Sequence, residues 1–288
     1  MGKIKIGFIG QGYVGKNYAN DFEARGYSVV RYAKEKPYDK NKNVIKNCDV
    51  VFVAVPTPTT PKGYDAGIIR KVLPLVGIGK VAVLKSTILP GLTEKIQEEF
   101  PHIIVLNSPE FLSEATARRD ASYPFVNIVG ITKKTSKHKK AAKLIHSILP
   151  TAPKNFTVKS IEAELIKYSH NCGGYTQIVF FNLMYDLSRK MGADWGKIEE
   201  AIKTDPFIPT RYASPVHKRG RGAGGHCFIK DFAAFREIYK KMTTDPEGLA
   251  VLESMEDKNV KLLRSSGKDV EILKSVYNIS ENKKNAKK

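Results

Sequence analysis

The residues best equipped for chemistry run Gly220-Arg221-Gly222-Ala223-Gly224-Gly225-His226-Cys227-Phe228-Ile229-Lys230-Asp231. Glycines lack a Cβ and let a backbone approach a bulky ligand closely. A thiol at the end of such a loop is within that ligand's reach, and a nearby lysine favours the thiolate, the nucleophilic form. The stretch also reads as a flexible glycine loop closing on a buried cysteine, the usual place for that residue. Two further sets could do chemistry. Glu110 and Glu114 are carboxylates four residues apart, able to position a water or hydroxyl for proton transfer, or else to cap a helix or pair with a cation. Lys167 and Asn171 are spaced to share one helix face and reach one ligand together, or to form an exposed polar pair.

The elements that must position these residues are legible in order. Lys3 to Ile9 reads as a buried strand, and Gly10-Gln11-Gly12-Tyr13-Val14-Gly15 follows at once, ahead of a helical stretch from Lys16 to Arg25. A G-x-G-x-x-G between strand and helix is the dinucleotide-binding turn: the first glycine for the turn, the second for approach to a pyrophosphate, the third for helix-on-strand packing. The helix N-terminus supplies N–H groups for the phosphates, so Gly10, Gly12, Tyr13, Val14 and Gly15 are cofactor candidates. The second strand, Ser28 to Tyr32, ends at Ala33, where an NAD site usually carries an acid for the ribose, and Lys34, Glu35 and Lys36 follow. NAD is the first assignment. The missing acid and the lysines leave NADP open; alternatively Glu35 takes the acid's role from a displaced loop. Further strands are expected at 49–55, 80–85, 103–106 and, as the last, 127–130. Three of them run into Thr57, into Thr87, and into Glu110 with Glu114, and strand C-termini face the ligand in this fold.

From Ser160 the pattern turns helical. A segment reaching about Met191 contains Gly173-Gly174, which implies a close crossing or a kink. Another helix is expected over 195–203, then a proline-containing loop over 205–219 with Tyr212, then helices over 232–241 and 249–264. The fold class is therefore α/β: an N-terminal Rossmann-like parallel-sheet domain over residues 1–155, then an all-helical catalytic and dimerisation domain over 156–281, with 282–288 a disordered basic tail. The apolar run from Tyr168 to Leu187 suggests a homodimer core.

Composition narrows the class. Hydrophobic content of 42% and charged content of 27% are ordinary for a globular protein, but the net charge of +19 is not. No nucleic-acid-binding signature accompanies the charge, so it points to anionic small molecules such as nucleotides, or to the general composition of the source's proteins, rather than to nucleic acid. Cys48, Cys172 and Cys227 form neither a disulfide framework nor a metal-ligand pattern, so no metal is expected and a reducing, cytoplasmic setting fits. No apolar run reaches membrane-spanning length, and the first apolar run is a strand rather than a signal peptide. Met1-Gly2 is not followed by Ser or Thr at Ile6, against myristoylation.

Six motifs in order resemble the UDP-glucose/GDP-mannose dehydrogenases: Gly10-x-Gly12-x-Val14-Gly15, Val55-Pro56-Thr57-Pro58, Ser86-Thr87-x-x-Pro90-Gly91-x-Thr93, Ser108-Pro109-Glu110-Phe111-Leu112-x-Glu114, Glu164-Leu165-x-Lys167-Tyr168-x-x-Asn171, and Gly224-Gly225-His226-Cys227-Phe228-x-Lys230-Asp231. The resemblance runs to about Asn259. It implies oxidation of a nucleotide-sugar primary alcohol to the uronate in two hydride transfers, with two NAD per turnover, in a route that leads to surface polysaccharide precursors. It makes Cys227 the nucleophile, passing through a thiohemiacetal and a thioester. Lys167 and Asn171 would hold the reacting oxygen, Asp231 would orient water and thiol, and Glu110, Glu114 and Thr87 would complete the catalytic set. Thr57, Thr87, Glu114 and Lys230 would touch the cofactor. Glu110, Phe111, Leu112, Glu114, Lys167, Asn171, Tyr212 and Gly224 would line the substrate. Ala33, Leu183 and Ile229 depart from the family pattern, and a third, nucleotide-binding domain is expected to be absent. The alternatives are a two-domain dehydrogenase of another alcohol or sugar, and a non-catalytic cofactor-binding protein that needs a partner chain.

Overall fold

The computed structural model describes residues 4–279. The expected tail over 282–288 lies outside them. The chain divides into two compact units, one formed by Met1–Thr57 and Asp65–Lys167, the other by Pro58–Tyr64 and Tyr168–Lys288.

The first unit is built on a seven-stranded sheet. Its elements are β1 (Lys5–Ile9), α1 (Tyr13–Ala24), β2 (Ser28–Tyr32), β3 (Val50–Val53), and, after the short hairpin strands β4 (Thr59–Thr60) and β5 (Gly63–Tyr64) of the other unit, α2 (Gly67–Val72) and β6 (Val81–Leu84). There follow α3 (Leu92–Glu99), β7 (Ile104–Asn107), α4 (Ala117–Ser122), β8 (Asn127–Ile131), α5 (Ser136–Ile148) and β9 (Asn155–Lys159). The strand order is β2-β1-β3-β6-β7-β8-β9, parallel except where β8 runs against β7. The apolar runs read from sequence become strands buried on both faces, as a parallel sheet covered by helices requires. Alternation sends Ile6, Phe8, Val50 and Phe52 into one core with Phe22 of α1, and Ile9, Val51, Val53 and Leu84 into the other. Each fully buried aromatic or aliphatic side chain of this kind stabilises the unit by about 1.5–3 kcal/mol.

Between β1 and β3 the strand order reverses direction, β1 having its sequence successor on one side and β3 on the other. Ligands of such sheets bind in the crevice at that switch point, outside the strand C-termini. The glycine turn after β1 and the Pro56-Thr57 segment after β3 flank it.

Two features differ from the sequence reading. Asn127–Ile131 is not the last strand: β9 pairs parallel to it from Asn127↔Asn155 to Ile131↔Lys159. Being an edge strand with mostly exposed residues, β9 has no apolar run to announce it. The sheet therefore passes residue 155, and the first unit extends to Lys167.

The second unit contains the hairpin β4–β5 together with helices α6 (Ser160–Lys190, which starts in the first unit), α7 (Trp195–Ile202), α8 (Gly225–Met242), α9 (Pro246–Ser266) and α10 (Val270–Tyr277). The loop expected over 205–219 holds a helical turn at Thr210–Tyr212 and most of a second hairpin, β10 (Val216–His217) with β11 (Gly220–Arg221). Helix α6 runs unbroken through Gly173-Gly174. A Cβ on Gly174 would meet the Tyr212 and Phe228 rings at 2.7 and 3.0 Å, so close packing, not a kink, accounts for that glycine. Tyr175 of α6 stacks on Phe232 of α8 with centroids 3.8 Å apart. Among the described residues no helix is long and apolar enough to cross a membrane.

Candidate active site

The glycine turn of the first unit has the geometry of a phosphate cradle. Gly10 has φ 91°, and a Cβ there would collide with the Ala54 carbonyl. A Cβ on Gly15 would collide with the Gly10 carbonyl, whereas one on Gly12 would meet nothing within 4 Å. Two glycines thus bring turn, strand and helix together, and the third leaves the space in front of α1 open. Gly12 is the N-cap of α1 and makes no side-chain cap, so the first backbone N–H groups of α1 are available to an anion. These residues fit a dinucleotide pyrophosphate. Tyr13 is 40% exposed. It lines a groove with Asn17, Glu114, Arg118, Arg119 and Tyr123.

At the end of β2, Ala33 is buried while Lys34, Glu35 and Lys36 are exposed. Arg31 is occupied, paired to Glu23 at 2.6 Å and donating to Asn20 at 2.8 Å. The exposed cations just after β2 are Lys34 and Lys36.

The other strand ends converge. Thr57 donates its hydroxyl to the Thr87 carbonyl at 3.1 Å. After β7, Glu110 is buried and accepts from Lys167 Nζ at 3.2 Å, and the same ammonium donates to the Glu110 carbonyl at 2.7 Å. The other Glu110 oxygen accepts from the Leu112 amide at 2.6 Å, and the Phe111 ring centroid lies 5.4 Å from Lys167 Nζ. Glu114, by contrast, is exposed in the groove beside Tyr13. The two carboxylates sit in different settings: Glu110 is buried against Lys167 and Glu114 is exposed.

Two buried charged residues of this region were given no role in the sequence reading. Lys85, just after β6, is 3% exposed. It donates to Ser108 Oγ at 3.1 Å and lies 4.5 Å from the Tyr18 ring centre. Burial pushes its pKa down to about 7, against the raising effect of Glu110 and with the help of Lys167. A lysine closing the apolar run Val81-Ala82-Val83-Leu84 was the available signal. Glu164, one turn before Lys167, accepts from the Gly91 and Thr93 amides at 2.6 and 2.9 Å and so caps α3. Burial raises its pKa to about 7 despite those donors. Glu164 ties the start of α6 to the loop that carries Thr87.

In the second unit, Cys227 is exposed. It sits in the first turn of α8, which starts at Gly225 rather than near residue 232. Asp231, one turn further on, is 1% exposed. It accepts from Asn171 Nδ2 at 2.6 Å and pairs with Lys230 at 2.5 Å. Tyr212 packs edge-on against Phe228 at 5.4 Å.

The glycines before Cys227 correct the sequence reading. A Cβ on Gly220 would meet the Lys268 side chain at 2.7 Å, and one on Gly222 would meet Asn259 Oδ1 at 2.9 Å. On Gly224 it would collide with the Asp269 carboxylate. Gly225 alone faces open space. At three of the four, Gly224 among them, the space a Cβ would take is filled by this chain's own side chains. The loop is clamped as well: Ala223 exchanges hydrogen bonds with Asn259 at 2.7 and 3.0 Å, and Lys268 donates to the Gly222 carbonyl at 2.9 Å. Ile229, where the family pattern differs, is fully buried among Leu263, Leu273 and Val276.

Comparison with known proteins follows this division. Residues 31–149 match the model of the UDP-glucose/GDP-mannose dehydrogenase family NAD binding domain, and residues 161–261 match that family's central domain. A UDP-glucose 6-dehydrogenase of Rickettsia bellii is 31% identical over 254 residues, covering 81% of this chain and 57% of the relative. That of Rickettsia conorii is 30% identical over 282 residues, covering 89% and 63%. The chain thus spans less than two thirds of these curated relatives' own length. Among solved structures, a UDP-glucose dehydrogenase of Pyrobaculum islandicum superposes with a TM-score of 0.77 at 24% identity, over 92% of this chain and 71% of that one. A 3-hydroxyisobutyrate dehydrogenase of Mycobacterium tuberculosis gives 0.69 at 14% identity, over 96% and 100%. The structural likenesses establish the fold, and the two domain models, matching in order and leaving only short stretches between and around them, establish more: the chain belongs to the UDP-glucose/GDP-mannose dehydrogenase family.

Proposed function

We propose that the chain oxidises the primary alcohol of a nucleotide sugar of the UDP-glucose type to the uronate, in two hydride transfers through covalent intermediates on Cys227. The observation that carries this reading is the arrangement on α8: an exposed thiol in the first helical turn, one turn before a buried Asp231 that is bonded to Asn171 and Lys230. A helix N-terminus favours a thiolate over a thiol.

The nicotinamide cofactor, when bound, accepts the hydride at each oxidation. The chain's residues do the rest. Lys167, fixed by the carboxylate and carbonyl of Glu110, donates to the sugar oxygen as negative charge grows on it. Asn171 is oriented by Asp231 for the same task. Cys227 Sγ bonds to the aldehyde carbon, giving a thiohemiacetal. Loss of a second hydride leaves a thioester, and water displaces the thiolate to release the carboxylate. Covalent capture divides a hard oxidation into easier steps and keeps the aldehyde bound. Thr57, Thr87, Glu114 and Lys230 are assigned to the cofactor, and Phe111, Leu112 and Tyr212 to the substrate. NAD is the first cofactor assignment. Ala33 with exposed Lys34 and Lys36 supports NADP as the second.

The chain is further read as a homodimer. Phe180, Leu183, Met184, Leu187 and Met191 form an exposed apolar stripe at helical spacing along and just beyond α6. A cytoplasmic setting would keep the Cys227 thiol reduced.

The test is absorbance of reduced nicotinamide with NAD and NADP separately, against UDP-glucose, other nucleotide sugars, and sugars without a nucleotide. Two reduced cofactors per substrate, lost in Cys227→Ser, are expected. Turnover confined to sugars lacking a nucleotide would reassign the substrate. Cofactor binding without any turnover would overturn the reading.

A further inference from the structure

The turn between α9 and α10 lies beyond the residues that match the family's central domain, which end at 261. It nevertheless makes direct contact with the start of the cysteine helix. Asp269 occupies the N-cap position of α10, the usual place for an aspartate that caps its own helix. It makes no side-chain cap there. Its Oδ2 instead accepts from the Gly225 amide at 2.7 Å, the first residue of α8. Asp269 also has φ 53°, ψ 33°, a left-handed backbone that costs a non-glycine residue energy and persists only where the surroundings enforce it. Lys268, beside it, donates to the Gly222 carbonyl at 2.9 Å. The space that Cβ atoms on Gly220 and Gly224 would fill is taken by these same two side chains.

We propose that Asp269 and Lys268 are positioning residues for Cys227, which hold the start of α8 in place and set, with opposite charges, how readily its thiol ionises. The inference rests on Cys227 being the nucleophile. The physical reason is the helix terminus. Amide N–H groups at the start of α8 favour a thiolate in its first turn. A carboxylate bound to the first of those amides takes up part of that field and adds a negative charge at the same helix terminus. Lys268 offsets that charge. The two side chains add to the Asn259 bonds on Ala223 in fixing the helix start, and the thiol is kept from excess reactivity.

The titratable groups at the start of α8 are His226, Lys230 and Asp231 on the helix, Lys268 and Asp269 on the turn, Lys218 acting on Lys268, Tyr212 packed on Phe228, and Lys62 and Tyr64 on the β4–β5 hairpin that packs on α8. Glu256 of α9 and Tyr277 of α10 are engaged with each other, and Glu256 with Arg236.

The experiment is the rate of alkylation by iodoacetamide as a function of pH, on the intact protein without substrate. Cys48 and Cys172 are buried, so the fast phase reports Cys227. Asp269→Asn keeps an oxygen for the Gly225 amide and tolerates the left-handed backbone while removing the charge. It is expected to alkylate about two- to fivefold faster below the thiol midpoint, the effect of one charge at a helix end, with the midpoint displaced to lower pH. Lys268→Met is expected to slow alkylation by a similar factor and displace the midpoint upward. A purely structural clamp would move both variants the same way. Superimposable profiles, or shifts of equal sign, overturn the proposal. If Asp269→Asn fails to fold, the direction of the Lys268→Met shift decides alone. Because no turnover is measured, failure here is separate from a failure of the nucleophile assignment, which Cys227→Ser tests by activity.

Discussion

The chain carries two glycine-rich stretches that look alike as strings, Gly10–Gly15 and Gly220–Gly225, and they do opposite things. In the first, two glycines let backbone meet backbone and Gly12 faces open space in front of a helix that no side chain caps. In the second, Gly220, Gly222 and Gly224 face side chains of Lys268, Asn259 and Asp269. One stretch leaves open space at Gly12; the other gives room to the protein's own side chains at the start of the helix that bears Cys227. A missing Cβ is informative only once the occupant of its space is known.

The largest effect that would sharpen this contrast is expected from Gly10→Ala. It combines a left-handed backbone with a clash against the Ala54 carbonyl, and backbone cannot give way as a side chain can. A loss of about 3–5 kcal/mol in urea unfolding is expected. Next comes Gly224→Ala, where the clash is with the ends of Asp269 and Lys268. Side chains can shift, so about 1–3 kcal/mol is expected, with cofactor affinity unchanged by titration calorimetry. Gly12→Ala reverses the pattern: stability within about 0.5 kcal/mol of the parent, but cofactor affinity down about tenfold, or 1.4 kcal/mol. If Gly12→Ala destabilised the fold and Gly224→Ala weakened cofactor binding, the contrast would collapse.

The smallest effect concerns pH and belongs to the first unit alone. Lys85 titrates near 7 in the folded chain and at its ordinary value of 10.5 when unfolded. Between those values the unfolded state holds the extra proton, so this group makes stability rise with pH. The gain from pH 7 to 8 is about 1 kcal/mol. It is present above the folded midpoint and fades below it. Lys85→Met should flatten that part of the stability curve measured in urea at several pH values, and equal slopes in parent and variant would refute the assignment.

Much of the first unit was legible because its signals are local. The apolar runs of β1, β3, β6 and β7 and the G-x-G-x-x-G between strand and helix need only neighbours in sequence to be read. β9 was not legible, because an exposed edge strand carries no apolar pattern and forms only through pairing with β8. Lys167 and Asn171 could be put on one face from helical spacing, which fitted an exposed polar pair as well; both are buried. That Lys167 holds Glu110, and that Asn171 meets Asp231, are contacts across 57 and 60 residues of chain, which no local pattern encodes.

The sequence by itself determined the class of sheet, the position of the dinucleotide turn and the set of polar residues available for chemistry, because periodicity and backbone sterics act over a few residues. Tertiary structure alone decided which of those residues are dry and which are wet. It separated Glu110 from Glu114, buried Lys85, and turned the glycines before Cys227 from a ligand cradle into a seam against the α9–α10 turn. Burial, charge pairing and the filling of a glycine's empty volume all depend on atoms from distant parts of the chain.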